Sequence, residues 1–345
     1  MKGERTVRAA VIGYGGAFNM GRHHAQNMRA AGMELAAACD LDAARMEQAA
    51  NDFPGIRTFT RVEDLLAQPD VDLVTVITPH NTHASLAMQV LESGKHCILE
   101  KPMCIRAGDA DALVRKAAEA GRMLSVYHNR RWDGWYLTLK DLIARGILGD
   151  IFHVEMYIGG YNHPGSWWRA RKEISGGAYY DWGAHYIDYL FGIMPGRIKS
   201  VRGFVQNRVW SDVSNEDQIQ SIIEFESGAV ADVQVSSIAR LGKANRRILG
   251  TKGAVVDFWD GHLTLQTEVN GVQVESKVPC QKDNWLAYHQ NVADHLLHGA
   301  DLAVKPEQAR RTIAVIETTE KSALAGRELP VPYEDDPAGL ITPGR

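Results

Sequence analysis

The chain lacks several features, and each absence excludes something. It has no excess of basic residues: 38 Lys and Arg stand against 42 Asp and Glu, a formal net charge of -4. That argues against nucleic acid or an anionic membrane as partner. No apolar run approaches the ~20 residues that a membrane-spanning helix needs. The opening Met1-Lys2-Gly3-Glu4-Arg5 has no apolar signal-peptide core and leads straight toward a strand. The 4 cysteines, Cys39, Cys97, Cys104 and Cys280, lie far apart and make no metal-type pair. They read as reduced thiols of a cytoplasmic protein. No repeat or low-complexity stretch is visible. What is present is ordinary globular composition, 45% hydrophobic and 23% charged, over 345 residues, enough for two domains.

Within that composition, Cys97-Ile98-Leu99-Glu100-Lys101-Pro102 stands out. The apolar part reads as a buried parallel strand. Pro102 cannot donate to a sheet ladder, so the strand stops there, and Lys101 is biased toward extended geometry. A carboxylate and an amine thus emerge at the carboxyl end of a buried strand, where open α/β sheets bind ligands. A solvated strand end would show the same three residues.

Around it, strands over 7–12, 34–39, 72–77 and 123–127 alternate with helices over 22–31, 84–92 and 109–120. That rhythm implies right-handed βαβ units and a doubly wound parallel sheet. After the first strand comes Gly13-Tyr14-Gly15-Gly16-Ala17-Phe18-Asn19-Met20-Gly21. Strand, glycine loop and helix form the setting of a dinucleotide fingerprint, whose glycines let the backbone approach a pyrophosphate at a helix N-terminus. Gly21 comes six residues after Gly15 rather than three, so the loop is longer than the common pattern. Asp40 ends the second strand, 19 positions after Gly21, about where an acid reaches the ribose hydroxyls. Leu41 follows, not Arg or Lys, and leaves a 2′-phosphate no obvious partner, which points to NAD over NADP. Asp40 could equally cap the helix starting near Ala43. His80 and His83 have no third ligand nearby, so loop or cofactor-edge roles fit better than a metal.

From His128-Asn129 onward the character changes. A helix over 135–145 is followed by strands over 151–158, 198–205, 218–225, 230–235, 246–249, 254–258 and 263–266, several alternating apolar and polar. The Glu226-Ser227-Gly228 turn suggests a hairpin. Helices return over 283–298 and 306–325, and the tail 330–345 is proline-rich and expected to be loose. This half is α+β with a mostly antiparallel sheet. If the helix begins at Tyr179, Asp181 and His185 share a face. A carboxylate beside an imidazole makes a general base for a hydroxyl group. A dipole-favoured Asp and a core His would fit the same spacing. The loop Tyr161-Asn162-His163-Pro164-Gly165-Ser166-Trp167-Trp168-Arg169 mixes aromatics with hydrogen-bonding groups. It suits a sugar ring, or is simply a packed aromatic clamp. Tyr288 and His289, early in a late helix, are weaker candidates.

Taken together, these stretches resemble the glucose-fructose oxidoreductase/inositol dehydrogenase family, often called Gfo/Idh/MocA, over nearly the whole chain. The residues that carry the resemblance are the Gly13 to Gly21 loop, Asp40, Thr78-Pro79 with His83, Glu100-Lys101-Pro102, and Gly176-Gly177 with Asp181 and His185. The longer loop resembles a subset of that family. The resemblance implies an α/β Rossmann domain over 1–128 and an α+β domain over 129–345. The second carries a large open sheet, mostly antiparallel, through which a homodimer or homotetramer would form. The helix near 306–325 would pack back on the first domain. NAD would meet Gly13, Gly15, Gly16, Ala17, Phe18, Asn19, Asp40, Thr78, Pro79, Asn81, His83, Glu100, Lys101, Pro102, Asn129, Trp168 and Arg169. A sugar or cyclitol would meet Lys101, Asn162, His163, Trp167, Asp181, His185 and Tyr288. A cis Lys101-Pro102 bond is implied. His185 would take the hydroxyl proton beside Asp181, and Lys101 would stabilise the alkoxide, all three converging on one nicotinamide ring. Hydride transfer to or from a secondary hydroxyl is the leading reading. The same site could instead cleave glycosides through transient oxidation, and a non-enzymatic sugar or nucleotide sensor is the third possibility.

Overall fold

The computed structural model describes residues 6–339. The expectations for Met1 to Arg5 and for the end of the 330–345 tail lie outside them. The chain forms two compact units. One holds the described residues up to Cys104 with Gly108–Asn129 and Trp285–Ala309; the other holds Ile105–Ala107, Arg130–Asn284 and the residues from Arg310 on.

The first unit opens with β1 (Arg8–Ile12), α1 (Met20–Ala30), β2 (Glu34–Cys39), α2 (Ala43–Asp52), β3 (Arg57–Phe59) and α3 (Val62–Leu66). It continues with β4 (Leu73–Val76), α4 (His83–Glu92), β5 (His96–Leu99), α5 (Ala107–Ala120) and β6 (Leu124–Val126). Among the described residues the six strands lie in the order β3-β2-β1-β4-β5-β6, every pair parallel. This is the expected doubly wound sheet. Its central strands are mostly apolar because helices cover both faces: all four residues of β4 are buried. The chain winds outward from β1 through β3, then returns to place β4 on the other side of β1. Ligands of such sheets sit at that reversal, at the carboxyl ends of the strands.

The second unit contains α6 (Gly134–Ala144), β7 (Ile151–Gly159), α7 (Lys172–Ser175), α8 (Trp182–Ile193), β8 (Ile198–Gln206), β9 (Gln218–Phe225) and β10 (Val230–Ser236). Then come β11 (Arg246–Gly250), β12 (Gly253–Asp257), β13 (His262–Val269) and β14 (Val272–Pro279). The eight strands lie in the order β14-β13-β12-β11-β7-β10-β9-β8, antiparallel except for β10 with β7. Alternation is clearest in β9, where Ile219, Ser221, Ile223 and Phe225 point inward. The β9–β10 hairpin turns at Gly228 (φ 84°), as Glu226-Ser227-Gly228 suggested. α8 packs over β7 and β10 and is buried from Gly183 to its last residue. β14 was not expected. It is an edge strand with most side chains in water, so little apolar signal marks it.

Two further α-helices follow among the described residues, α9 (Leu286–His298) and α10 (Pro306–Ala325). The single boundary expected after residue 128 needs correcting. The first unit runs on to Asn129, lends Ile105–Ala107 to the second and takes back Trp285–Ala309. The segment that returns is therefore centred on α9, and α10 belongs to the second unit from Arg310 on. The cause is packing: α9 lies against α1, and the Tyr288 hydroxyl donates to Ser125 Oγ at 2.9 Å. Within the second unit, Gly203 of β8 lies so close to α10 that a Cβ there would overlap the Thr319 carbonyl oxygen. Gly203→Ala should therefore cost about 1–3 kcal/mol by forcing strand and helix apart, read as a lower midpoint in urea denaturation.

Candidate active site

The first group of candidates surrounds the carboxyl ends of β1, β2, β4 and β5. Gly13 ends β1 with φ 99°, and a Cβ on it would overlap the Ile77 carbonyl oxygen after β4. Gly21 is not part of the loop. It sits in the first turn of α1, where a Cβ would meet the Gly13 carbonyl oxygen and Tyr14. Its work is close helix–strand packing, and the extra residues of the long spacing leave the cradle as Ala17 and the exposed Phe18. Asn19 explains why α1 begins at Met20 and not near Arg22: it adopts the left-handed region (φ 42°, ψ 48°). Its Oδ1 accepts from Gly15 N at 3.1 Å and from Arg22 N at 3.4 Å, tying loop to helix. Space is open over Gly16 (φ 78°), and the first turn of α1 carries no acid. An open glycine cradle at such an N-terminus fits a dinucleotide pyrophosphate.

Asp40 follows β2. Its Oδ2 accepts from Tyr14 N at 2.8 Å and its Oδ1 from Asp42 N at 3.0 Å. The cap of α2 is Asp42, which accepts from Ala44 N, so the capping role suggested for Asp40 falls to its neighbour. Sequence order left a 2′-phosphate no obvious partner beside Asp40, but the fold brings a cation there. Arg45, one turn into α2, donates to Asp40 Oδ2 at 3.3 Å. The signal was available in its place five residues on, at the exposed start of that helix.

After β4, Thr82 Oγ1 donates to the Pro79 carbonyl at 2.7 Å and lies 2.7 Å from Thr78 Oγ1, while Asn81 is exposed. His83 is fully buried, with Nδ1 2.7 Å from the Pro102 carbonyl oxygen and Nε2 2.8 Å from that of Thr78. Both ring nitrogens of this expected cofactor contact thus face backbone carbonyls of two strand-end loops. Burial pushes its pKa below the ordinary imidazole range, although both carbonyls favour the charged form. Lys101-Pro102 is cis. Glu100 is likewise engaged inward: Oε1 lies 3.1 Å from His24 Nε2 and Oε2 accepts from Lys101 N at 2.8 Å. Burial raises its pKa, but the His24 hydrogen bond together with the Lys101 charge and amide outweighs burial and holds the carboxyl below its ordinary range. Tyr288 is 1% exposed and its hydroxyl goes to Ser125. The structure thus places this expected substrate contact among the buried residues of the first unit. Asn129 is buried where the chain leaves this unit.

The second group lies in the second unit. Tyr179 does not begin a long helix. Ala178–Tyr180 is a short 3-10 turn, Asp181 (φ −82°, ψ −82°) breaks it, and α8 starts at Trp182. Asp181 thus stands at the N-terminal end of α8, where the helix dipole favours a carboxylate, and His185 follows within α8, 6% exposed. Asp181 Oδ1 accepts from Arg169 Nη1 at 2.9 Å. The Arg169 guanidinium lies over Trp168 (4.8 Å) and Trp167 (5.3 Å), and Asn215 holds the Arg169 carbonyl at 2.6 Å. Trp167, Trp168, Arg169 and Asp181 therefore form one cluster. The His185 ring meets Trp182 edge-on at 5.7 Å. Asn162 is exposed. His163 is also exposed, with Nε2 3.0 Å from Asp212 of the β8–β9 connection and Nδ1 accepting from Gly165 N.

Residues 7–128 match the description oxidoreductase family, NAD-binding Rossmann fold, and residues 136–256 match the GFO/IDH/MocA C-terminal domain. The chain belongs to the GFO/IDH/MocA oxidoreductases. It is 30% identical over 310 residues to a scyllo-inositol 2-dehydrogenase (NADP(+)) of Bacillus subtilis, covering 83% of this chain and 86% of that protein. A scyllo-inositol 2-dehydrogenase (NAD(+)) of the same organism is 29% identical over 259 residues, 73% of this chain and 74% of that protein. Among solved structures, an NAD-binding protein from Listeria innocua superimposes with a TM-score of 0.85 at 26% identity, covering 97% and 99% of the two chains. This GFO/IDH/MocA chain is thus an oxidoreductase with an NAD(P)-binding Rossmann fold. Among its described residues no helix is long and apolar enough to cross a membrane, and no cluster of three or more His, Cys, Asp or Glu could hold a metal.

Asn19→Ala should remove the tie between Gly15 and α1 and leave a non-glycine residue in the left-handed region without its side-chain bonds. We expect a stability loss of about 1–2 kcal/mol and weaker dinucleotide binding in isothermal titration calorimetry.

Proposed function

We propose that this oxidoreductase transfers a hydride between NAD and a secondary hydroxyl of a sugar, a cyclitol or a close derivative. The observation that carries the reading is Lys101. Its amine belongs to a loop at the carboxyl end of β5 that is tied on both sides to buried side chains, in a chain related to two inositol dehydrogenases. Nicotinamide would supply the hydride acceptor. The cradle of Gly13, Gly15, Gly16 and Asn19 would hold the pyrophosphate, and Asp40 the adenosine ribose. Trp168 would line the nicotinamide side. His185 would take the proton from the substrate hydroxyl, and the Lys101 ammonium would stabilise the oxyanion as it forms. Arg169 would hold Asp181 oriented for that exchange. Asn162 and Trp167 would bound the substrate.

The test is a screen of inositol isomers and sugars with NAD and NADP, followed by nicotinamide absorbance. Lys101→Ala and His185→Ala should each lower turnover by ~10²-fold or more and leave NAD binding largely intact. Full turnover in either variant would exclude the role given to that residue.

Cofactor choice is balanced by Asp40 and Arg45. A carboxylate suits ribose hydroxyls and repels a 2′-phosphate, whereas a nearby arginine accepts one. NAD is preferred while Asp40 occupies the Arg45 guanidinium. Asp40→Ser should release Arg45 and move the NADP-to-NAD ratio of kcat/KM upward by about tenfold, equivalent to ~1.4 kcal/mol. An unchanged ratio would show that Arg45 takes no part.

A further inference from the structure

A row of buried histidines stands behind the Glu-Lys-Pro loop, and the proposed chemistry does not use it. His24 lies on the inward face of α1 and is fully buried. Its Nε2 is 3.1 Å from Glu100 Oε1, and its Nδ1 is 3.1 Å from Nε2 of His289, which is equally buried on α9. The second Glu100 oxygen accepts from Lys101 N at 2.8 Å. The row therefore runs His289, His24, Glu100, Lys101, and all of it belongs to the first unit.

An orphaned atom fixes where its protons are. His289 Nδ1 is buried and has no hydrogen-bond partner. A hydrogen on it would be a buried donor without an acceptor, at a cost of about 1–3 kcal/mol. Burial, with the His24 and His23 rings nearby, pushes the His289 pKa well below its ordinary value, so the ring carries one proton. That proton sits on Nε2 and donates to His24 Nδ1. Since Nδ1 of His24 accepts, its own proton sits on Nε2 and donates to Glu100. Both bonds point the same way, toward the loop. The Tyr127 ring packs at 4.2 Å from His24 and 5.2 Å from His289, measured between ring centres, and holds both imidazoles in place. On the other flank of Lys101, the Pro102 carbonyl is held by His83 at 2.7 Å.

We propose that His24, oriented by His289, is a positioning residue: it fixes the Glu100 carboxylate, which in turn fixes the backbone that aims the Lys101 amine. This rests on the reading of Lys101 as the group that stabilises the substrate oxyanion. A row that merely stitched α1, α9 and β5 together would serve stability and leave Lys101 unaffected by its loss.

The two roles separate in hydrogen exchange at the Lys101 amide, measured by mass spectrometry on fragments within 97–105, alongside steady-state kinetics. His24→Leu removes both bonds, whereas His24→Gln keeps an N–H donor for Glu100. In His24→Leu the Lys101 amide should exchange about tenfold faster. In the same variant kcat should fall about tenfold, with NAD affinity and substrate KM within about twofold of the parent protein. His24→Gln should restore most of both. If His24→Leu does not fold, the comparison passes to His24→Gln and to His289→Leu, which leaves the Glu100 bond in place but frees the His24 tautomer and should give an intermediate loss of kcat. Unchanged exchange at Lys101 in folded His24→Leu overturns the positioning role whatever the turnover. Lys101→Ala, run in parallel, tests the other premise: full turnover there removes the catalytic reading and leaves the exchange result standing.

Discussion

Close approach of backbones at the end of β1 is the constraint on which the first unit depends. Gly13 lies against the Ile77 carbonyl and Gly21 against Gly13, with no room for a Cβ at either contact. Because α1 can settle this deeply, its N-terminus opens onto the glycine cradle and its inward face reaches the core. The same seating brings His24 to Glu100 and puts α9 within reach of α1. Glycine cradle and lysine loop are thus two consequences of one helix position.

In the second unit the comparable constraint is a buried helix lying on a sheet. α8 has no polar face to turn outward, so its start is determined by what surrounds it. Tyr179 hydrogen-bonds Ser221 of β9, and the Tyr180 hydroxyl donates to the Ile105 carbonyl at 2.7 Å. Those anchors hold the short turn that ends at Asp181. The Arg169 loop then meets the Asp181 carboxylate from the other side. The result is a buried platform with polar groups gathered at one helix end.

The relatives use NAD in one case and NADP in the other, and this chain keeps a carboxylate and a guanidinium at one place, Asp40 with Arg45. The two engage each other directly, so neither side chain stands alone at that strand end.

Much was legible in the chain itself. Apolar runs ending in glycine or proline marked β1, β4 and β5, and alternation marked several strands of the second sheet. These signals are local: periodicity, turn chemistry and the missing donor of Pro102 act within a few residues. Other features needed the folded chain. The His24–Glu100 bond spans 76 positions and the His24–His289 bond 265. Tyr288 became core, His83 became a staple, and Trp285–Ala309 joined the first unit. No local pattern encodes such pairings, because what brings these residues together is the burial of faces formed far apart in the chain.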